Sequence, residues 1–162
     1  RVIHYGGVAD AGLAERLSRQ SANNPHYEWR GEVPRWQALR ALARADALIV
    51  PSRLDGAASV VSEALACGVP VLATRIPGSV GLLGDGHPGY FPVGNHHALA
   101  GLLARIENDS RFLEELAARS AALRPLVEPA RERAAWEALL SEFHPSSPDP
   151  TNPLWRAGSA VC

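Results

Sequence analysis

The sequence predicts an α/β domain built on a parallel sheet. Short apolar runs alternate with amphipathic stretches along the chain, Gly or Pro punctuates most of the boundaries, and the run Ala47–Val50 is apolar throughout. Strand and helix signals in alternation imply parallel strands joined by crossover helices, with helices on both faces of the sheet. An unbroken apolar run suits a strand buried on both sides.

Val2–Tyr5 is a short extended pattern ended by Gly6 and Gly7, a strand followed by a turn. From Ala9 to Ala22, Leu13 and Leu17 stand four apart, the spacing of an amphipathic helix. Tyr27–Arg30, bounded by Pro25 and Gly31, reads as a second strand. Pro34 sits where the first turn of a helix tolerates it, with Trp36, Leu39 and Ala43 on one face. Ala47–Val50, ended by Pro51, is the third strand, and Ser59–Cys67 is a helix stopped by Gly68. Val69–Ala73 and Gly89–Val93 are further strands. Asn95 is placed to cap a helix carrying Leu99, Leu102, Leu103 and Ile106. Helical stretches over Arg111–Leu123 and Glu128–Phe143 complete a domain of residues 1–143. Residues 144–162 begin HPSSPDPTNPLW and are expected to form a flexible Pro- and Ser-rich tail. No internal repeat is present, and an opening directly on a strand suggests a fragment of a longer protein.

Composition narrows the function classes. The 162 residues are 46% hydrophobic and 20% charged, as in soluble globular domains, and the net charge of −1 gives no basis for a nucleic-acid or acidic-membrane surface. No apolar run reaches the roughly 20 residues that span a bilayer, and RVIHYGG lacks the order of a signal peptide. With only Cys67 and Cys162, a disulfide framework is not expected and a reducing cytoplasm is the default location. Among the six histidines, His96 and His97 are adjacent and diverge by about 100° on a helix, while His4, His26, His87 and His144 show no ligand spacing. Neither a metal nor a cofactor is expected. Cys67 is expected to be a small buried hydrophobe, Trp36 and Trp136 to face the core, and Asp85 and His87 to be solvated turn residues.

The chemistry concentrates between Pro51 and Val71. This stretch leaves a buried strand, crosses a loop of small residues, enters a helix and returns to a strand. Ligands of open α/β sheets bind beyond the carboxyl ends of the strands. Gly56, Ala57 and Ala58 leave room for close approach to the main chain. The N–H groups around Ser59, Val60 and Val61 offer donors and a positive dipole end to an anion. Glu63, about one turn into the helix, can accept two hydrogen bonds from a vicinal diol such as a ribose. Asp55, eight residues earlier, can take sugar hydroxyls, although Asp-Gly is also a common turn pair.

Asp55 to Glu63, continued by Glu63-Ala-Leu-Ala-Cys-Gly-Val-Pro-Val71, resembles the paired-acid motif of family-four glycosyltransferases of the GT-B fold. Ala45–Ser52 and Gly31-Glu-Val33 resemble that family's run into the motif, and the likeness covers roughly residues 27 to 105. It implies a Rossmann-like domain, the C-terminal half of a GT-B fold, lacking its first strand and the acceptor-binding N-terminal domain. It further implies Glu63 on the ribose, Asp55 on the donor sugar, the main chain of Gly56, Ala57, Ala58, Ser59 and Val60 on the diphosphate and sugar, and Val33, Pro34 and Arg35 against the base. Asp55 departs from the family's usual Glu by one methylene, which bears on the sugar contact.

More narrowly, Ser52–Glu63 with Arg75–Asp85 and Pro88–Gly94 resembles the selenosugar synthases of selenoneine biosynthesis. That resemblance implies a UDP-sugar as donor substrate and selenophosphate as acceptor. The donor loop departs from the subgroup's pattern, with Asp-Gly-Ala-Ala-Ser-Val where Glu-Gly-Gly-Ala-Asn-Val is usual. The wider family also brings an Arg and a Lys to the diphosphate from a segment upstream of the first strand here. The chain alone is therefore expected to bind donor weakly and to be inactive. The alternatives are a generic family-four transferase acting on carbohydrate or lipid hydroxyls, a non-catalytic nucleotide-binding fragment, and a nucleotide-sugar epimerase of the same architecture.

Overall fold

The computed structural model describes residues 1–8, 10–56 and 59–143. In chain order the elements are β1 (Val2–His4), α1 (Ala11–Asn23), β2 (Tyr27–Trp29), α2 (Arg35–Leu42), β3 (Leu48–Val50), α3 (Ser59–Cys67), β4 (Val71–Thr74), α4 (Pro77–Leu83), β5 (Tyr90–Phe91), α5 (His96–Asn108), α6 (Ser110–Leu123), a 3-10 turn (Arg124–Val127) and α7 (Pro129–Phe143). The expected tail lies outside the described residues.

All strand pairs are parallel, as the alternation implies, but the ladder is interrupted. β1 pairs with β2, Val2 opposite Tyr27. A separate sheet runs β3-β4-β5, with Leu48 opposite Val71 and Ala73 opposite Tyr90. The single sheet expected from the sequence is thus two sheets, because among the described residues no ladder joins β1 or β2 to the other three strands.

β4 is the keel of the larger sheet, buried along its whole length. Alternate residues of a strand point to opposite faces, and the two cores divide accordingly. Val71 and Ala73 join Leu42 of α2, Val61, Ala64 and Leu65 of α3, and Leu83 of α4. Leu72 joins Phe91, Phe112 and Leu116, with Leu99, Leu102, Leu103 and Ile106 of α5 packed around them. Helices therefore cover both faces of this sheet, as expected.

Local chemistry sets the helix ends. Asp10 accepts from the N–H groups of Gly12 and Leu13 at 3.1 and 3.0 Å, which starts α1 two residues later than the apolar spacing suggests. The Asn95 side chain accepts from Ala98 N–H at 2.9 Å, the anticipated cap of α5. Gly68 takes φ 72° at the end of α3, a left-handed position that suits glycine.

Several expectations are corrected. Trp36 is 64% exposed, because it lies six residues from buried Leu42 and so about 120° round the helix from it. Trp136 is exposed on α7, a helix with no buried residue. Cys67 is exposed at the last residue of α3, beyond the face that carries Ala64 and Leu65. The rings of His96 and His97 do not diverge: their centroids are 4.1 Å apart. Helix α4 was not anticipated. No helix among the described residues is long and apolar enough to cross a membrane.

Candidate functional site

The loop after β3 is held from below by its neighbours. The hydroxyl of Thr74, at the end of β4, donates to the Ser52 carbonyl at 2.5 Å and lies 3.4 Å from that of Val50. Further along, the main chain of Asp55 presses against α4. A Cβ added to Gly78 would stand 2.2 Å from the Asp55 carbonyl oxygen and 3.0 Å from that of Gly56. α4 is itself secured by Tyr90 of β5, whose hydroxyl hydrogen is shared between the carbonyls of Ser79 (3.1 Å) and Gly84 (3.0 Å). Arg75 pairs with Asp85 at 2.9 Å and lies over the Tyr90 ring. Beside them, a cleft of about 430 Å³ opens at the carboxyl ends of β4 and β5, lined by Arg75, Tyr90, Phe91, Pro92 and Val93.

The residues expected in the site fall as follows. Asp55 is half-buried in the loop, and Gly56 and Ser59 are exposed. Val60 packs its side chain against the first core, so only its main chain remains for a ligand. Ala57 and Ala58 lie outside the described residues. Glu63 is in α3, one turn past its start, with its side chain 23% exposed. Val33 is half-buried, Pro34 exposed, and Arg35 opens α2. The structure brings two of these side chains together: Arg35 Nη2 donates to Glu63 Oε1 at 2.6 Å. The start of α2, which follows β2, thereby meets the first half of α3, which follows β3.

The first turn of any helix leaves N–H groups without intrahelical partners and carries the positive end of the dipole. In α3 that turn is Ser59 to Ser62, beside the Asp55 loop and just before Glu63. The site therefore joins main-chain donors suited to an anion with a carboxylate suited to hydroxyls. The loops after β1 and β2 are also tied together, by Gly6 N–H to the Gly31 carbonyl (2.8 Å) and by the Trp29 indole N–H to the Gly6 carbonyl (3.0 Å). No group of three or more metal-ligating side chains occurs among the described residues.

His87 is not the solvated turn residue its sequence context suggests. It is 5% exposed, and Nε2 donates to the Val71 carbonyl at 2.8 Å, so the neutral ring leaves Nδ1 bare, buried and without a partner among the described residues. Burial chiefly lowers its pKa, with Arg119 of α6 acting the same way, while the bond to Val71 and the charge of Glu115 oppose. The Tyr90 ring meets it edge-on. The unfolded chain then takes up the proton first as pH falls. Stability contributed by neutral His87 is complete above about 6.5, declines below it and levels off under the lowered folded value. Urea unfolding of the wild type and of His87→Gln from pH 8 to pH 5 is expected to show a steeper loss for the wild type. Parallel curves would contradict this assignment.

The profile of the family described as "Glycosyl transferases group 1" matches residues 4–122. The chain belongs to that family. It is 34% identical over 87 residues to a protein named for teichuronic acid biosynthesis glycosyltransferase activity, TuaC of Bacillus subtilis, covering 54% of this chain and 22% of that one. It is 32% identical over 112 residues to D-inositol 3-phosphate glycosyltransferase 2 of Catenulispora acidiphila, covering 63% and 26%. The chain thus spans about a quarter of the length of these relatives. In fold it is similar to the pneumococcal O-GlcNAc transferase GtfA, solved with UDP and GlcNAc, at a TM-score of 0.70 and 20% identity over 88% of this chain and 29% of that one.

Three contributors to the site escaped the sequence reading. Thr74, Gly78 and Tyr90 were not among the expected site residues, yet Thr74 bonds to Ser52, Gly78 abuts Asp55, and Tyr90 secures α4. Pro77 at the start of α4 and Gly84 after its end were the available signals for that helix.

Proposed function

We propose that the chain is the donor-binding, C-terminal part of a GT-B glycosyltransferase and that it holds a UDP-sugar. The observation that carries this reading is Glu63, a largely buried carboxylate one turn inside a helix whose start faces the carboxyl end of β3. The diphosphate sits at the first turn of α3, the ribose diol on Glu63, the donor sugar toward Asp55, and the base along Val33, Pro34 and Arg35. Main-chain donors already aimed at the diphosphate stabilise the charge that develops as it leaves the anomeric carbon. The family membership and the UDP in the pneumococcal relative's structure support the same donor class.

Turnover belongs to a longer parent in this reading. The interrupted ladder leaves room in the scheme for another strand, and α7 exposes Trp136, Leu139, Leu140 and Phe143 along one stripe suited to a second domain. The finer proposal is that the parent transfers the sugar to selenophosphate: selenium bonds to the anomeric carbon as its bond to the UDP oxygen breaks. Support for this lies in the phrases Gly81–Asp85 and Gly89–Gly94, which build α4, its exit and β5 under the donor loop. Mass spectrometry of the parent with UDP-glucose or UDP-N-acetylglucosamine and selenophosphate tests it. Transfer only to carbohydrate or lipid hydroxyls would point to a generic transferase.

For the donor site itself, Glu63→Ala is expected to weaken UDP binding by the 162-residue chain roughly tenfold or more, since hydrogen bonds to charged groups contribute about 1.5–3 kcal/mol. NMR titration reads this directly. Unchanged affinity would remove Glu63 from the site.

A further inference from the structure

We infer that Arg35 is a positioning residue for Glu63, fixing one carboxylate oxygen so that the other is presented to the ribose diol, and offsetting the carboxylate's charge toward a diphosphate. The inference rests on the donor-site reading above and assigns Arg35 a role beyond lying near the base.

Three observations carry it. First, Arg35 occupies the opening residue of α2, where the helix dipole disfavours a cation. Its guanidinium nevertheless reaches out of that helix to Glu63 at 2.6 Å. Second, the pair is asymmetric: the Arg35 side chain is 76% exposed and that of Glu63 only 23%. The carboxylate is therefore the seated partner, and Arg35 closes over it from the solvent side. Third, among the described residues Glu63 bonds only through Oε1, to Arg35 Nη2, which leaves Oε2 to accept from a ligand. An ionised carboxylate has room for about four hydrogen bonds, and a vicinal diol needs two.

A diphosphate at the first turn of α3 lies close to Glu63, and a bare carboxylate there would repel it. Pairing with Arg35 reduces that repulsion without removing the acceptor. Arginine suits this task because its planar guanidinium aims Nη2 at one carboxylate oxygen in a fixed direction, whereas a lysine supplies a point charge alone.

The test compares the wild-type 162-residue chain with Arg35→Gln, Arg35→Lys and Glu63→Gln by NMR titration with uridine, 2′,3′-dideoxyuridine and UDP. Arg35 is largely exposed, and an unchanged amide spectrum away from the pair verifies folding. The wild type is expected to prefer uridine to the dideoxy analogue by about tenfold, the loss of one good interaction. Arg35→Gln is expected to reduce that preference to about threefold or less and to weaken UDP more than uridine. Arg35→Lys restores the UDP affinity but not the diol preference. An undiminished diol preference in Arg35→Gln overturns the positioning role while leaving Glu63 as the ribose residue. No diol preference in the wild type, or one that survives Glu63→Gln, overturns the donor-site reading and this inference with it.

Discussion

Replacing Gly78 with alanine is expected to destabilise the chain by about 3 kcal/mol, the upper part of the range for overpacking a tight site, and to displace the Asp55 loop. The new Cβ would stand 2.2 Å from the Asp55 carbonyl oxygen and 3.0 Å from its carbonyl carbon. These are backbone atoms, so no flexible side chain can swing aside. Either α4 withdraws or the loop does. Withdrawal of α4 strains the hydroxyl of Tyr90, which holds the carbonyls of Ser79 and Gly84. Displacement of the loop moves Asp55 and Gly56, and UDP affinity falls with stability. Gly81, in the same helix, supplies the control: a Cβ there meets nothing within 4 Å. Gly81→Ala should be neutral or stabilising by up to about 1 kcal/mol, the ordinary helix preference for alanine. Urea unfolding of both variants gives the comparison, and a stabilised Gly78→Ala would disprove the close contact.

Phe112→Ala is expected to cost about 3–5 kcal/mol, the usual range for a fully buried phenylalanine. Phe112 is 1% exposed and is the largest of the fully buried side chains among the described residues. It fills the core on the α5–α6 face of the sheet with Leu72, Phe91 and Leu116. α5 has no fully buried residue of its own, so much of its docking depends on this ring. The Arg105 guanidinium of α5 lies 3.9 Å from the ring centroid and loses that platform too. Hydrogen exchange should consequently show α5 opening more readily in the variant, alongside the lower urea midpoint. A loss below about 1.5 kcal/mol would mean that the site collapses to fill the cavity.

The fold was legible where short-range chemistry decides it. Ser59–Cys67 has the bounds that its apolar spacing and Gly68 predict. Asn95 caps α5, and the parallel pairing follows from the alternation of elements. What the sequence concealed depends on contacts between distant segments. Gly78 and Gly81 weaken the helical pattern of α4, and only the position of Asp55 explains why one of them is required. His87 reads as a turn residue because its burial against α6 cannot be inferred from Gly86 and Pro88. Within the site, Asp55 and Glu63 stood out by spacing and family resemblance. The bond between Arg35 and Glu63 joins elements that follow different strands, so no local periodicity announces it.

Tyr90 gives the support of Asp55 a mechanical character that the composition of the segment hides. The small residues after Asp55 suggest slack, yet Tyr90 holds the carbonyls of Ser79 within α4 and of Gly84 just after it, and α4 abuts the Asp55 main chain through Gly78. The arrangement is a strut: load on the loop passes through a short helix to a phenol anchored in β5. The support of Asp55 is thus set at a point remote in sequence from both Asp55 and Glu63. A change confined to β5 would, in the proposed donor site, shift Asp55 while leaving Asp55 and Glu63 themselves chemically intact.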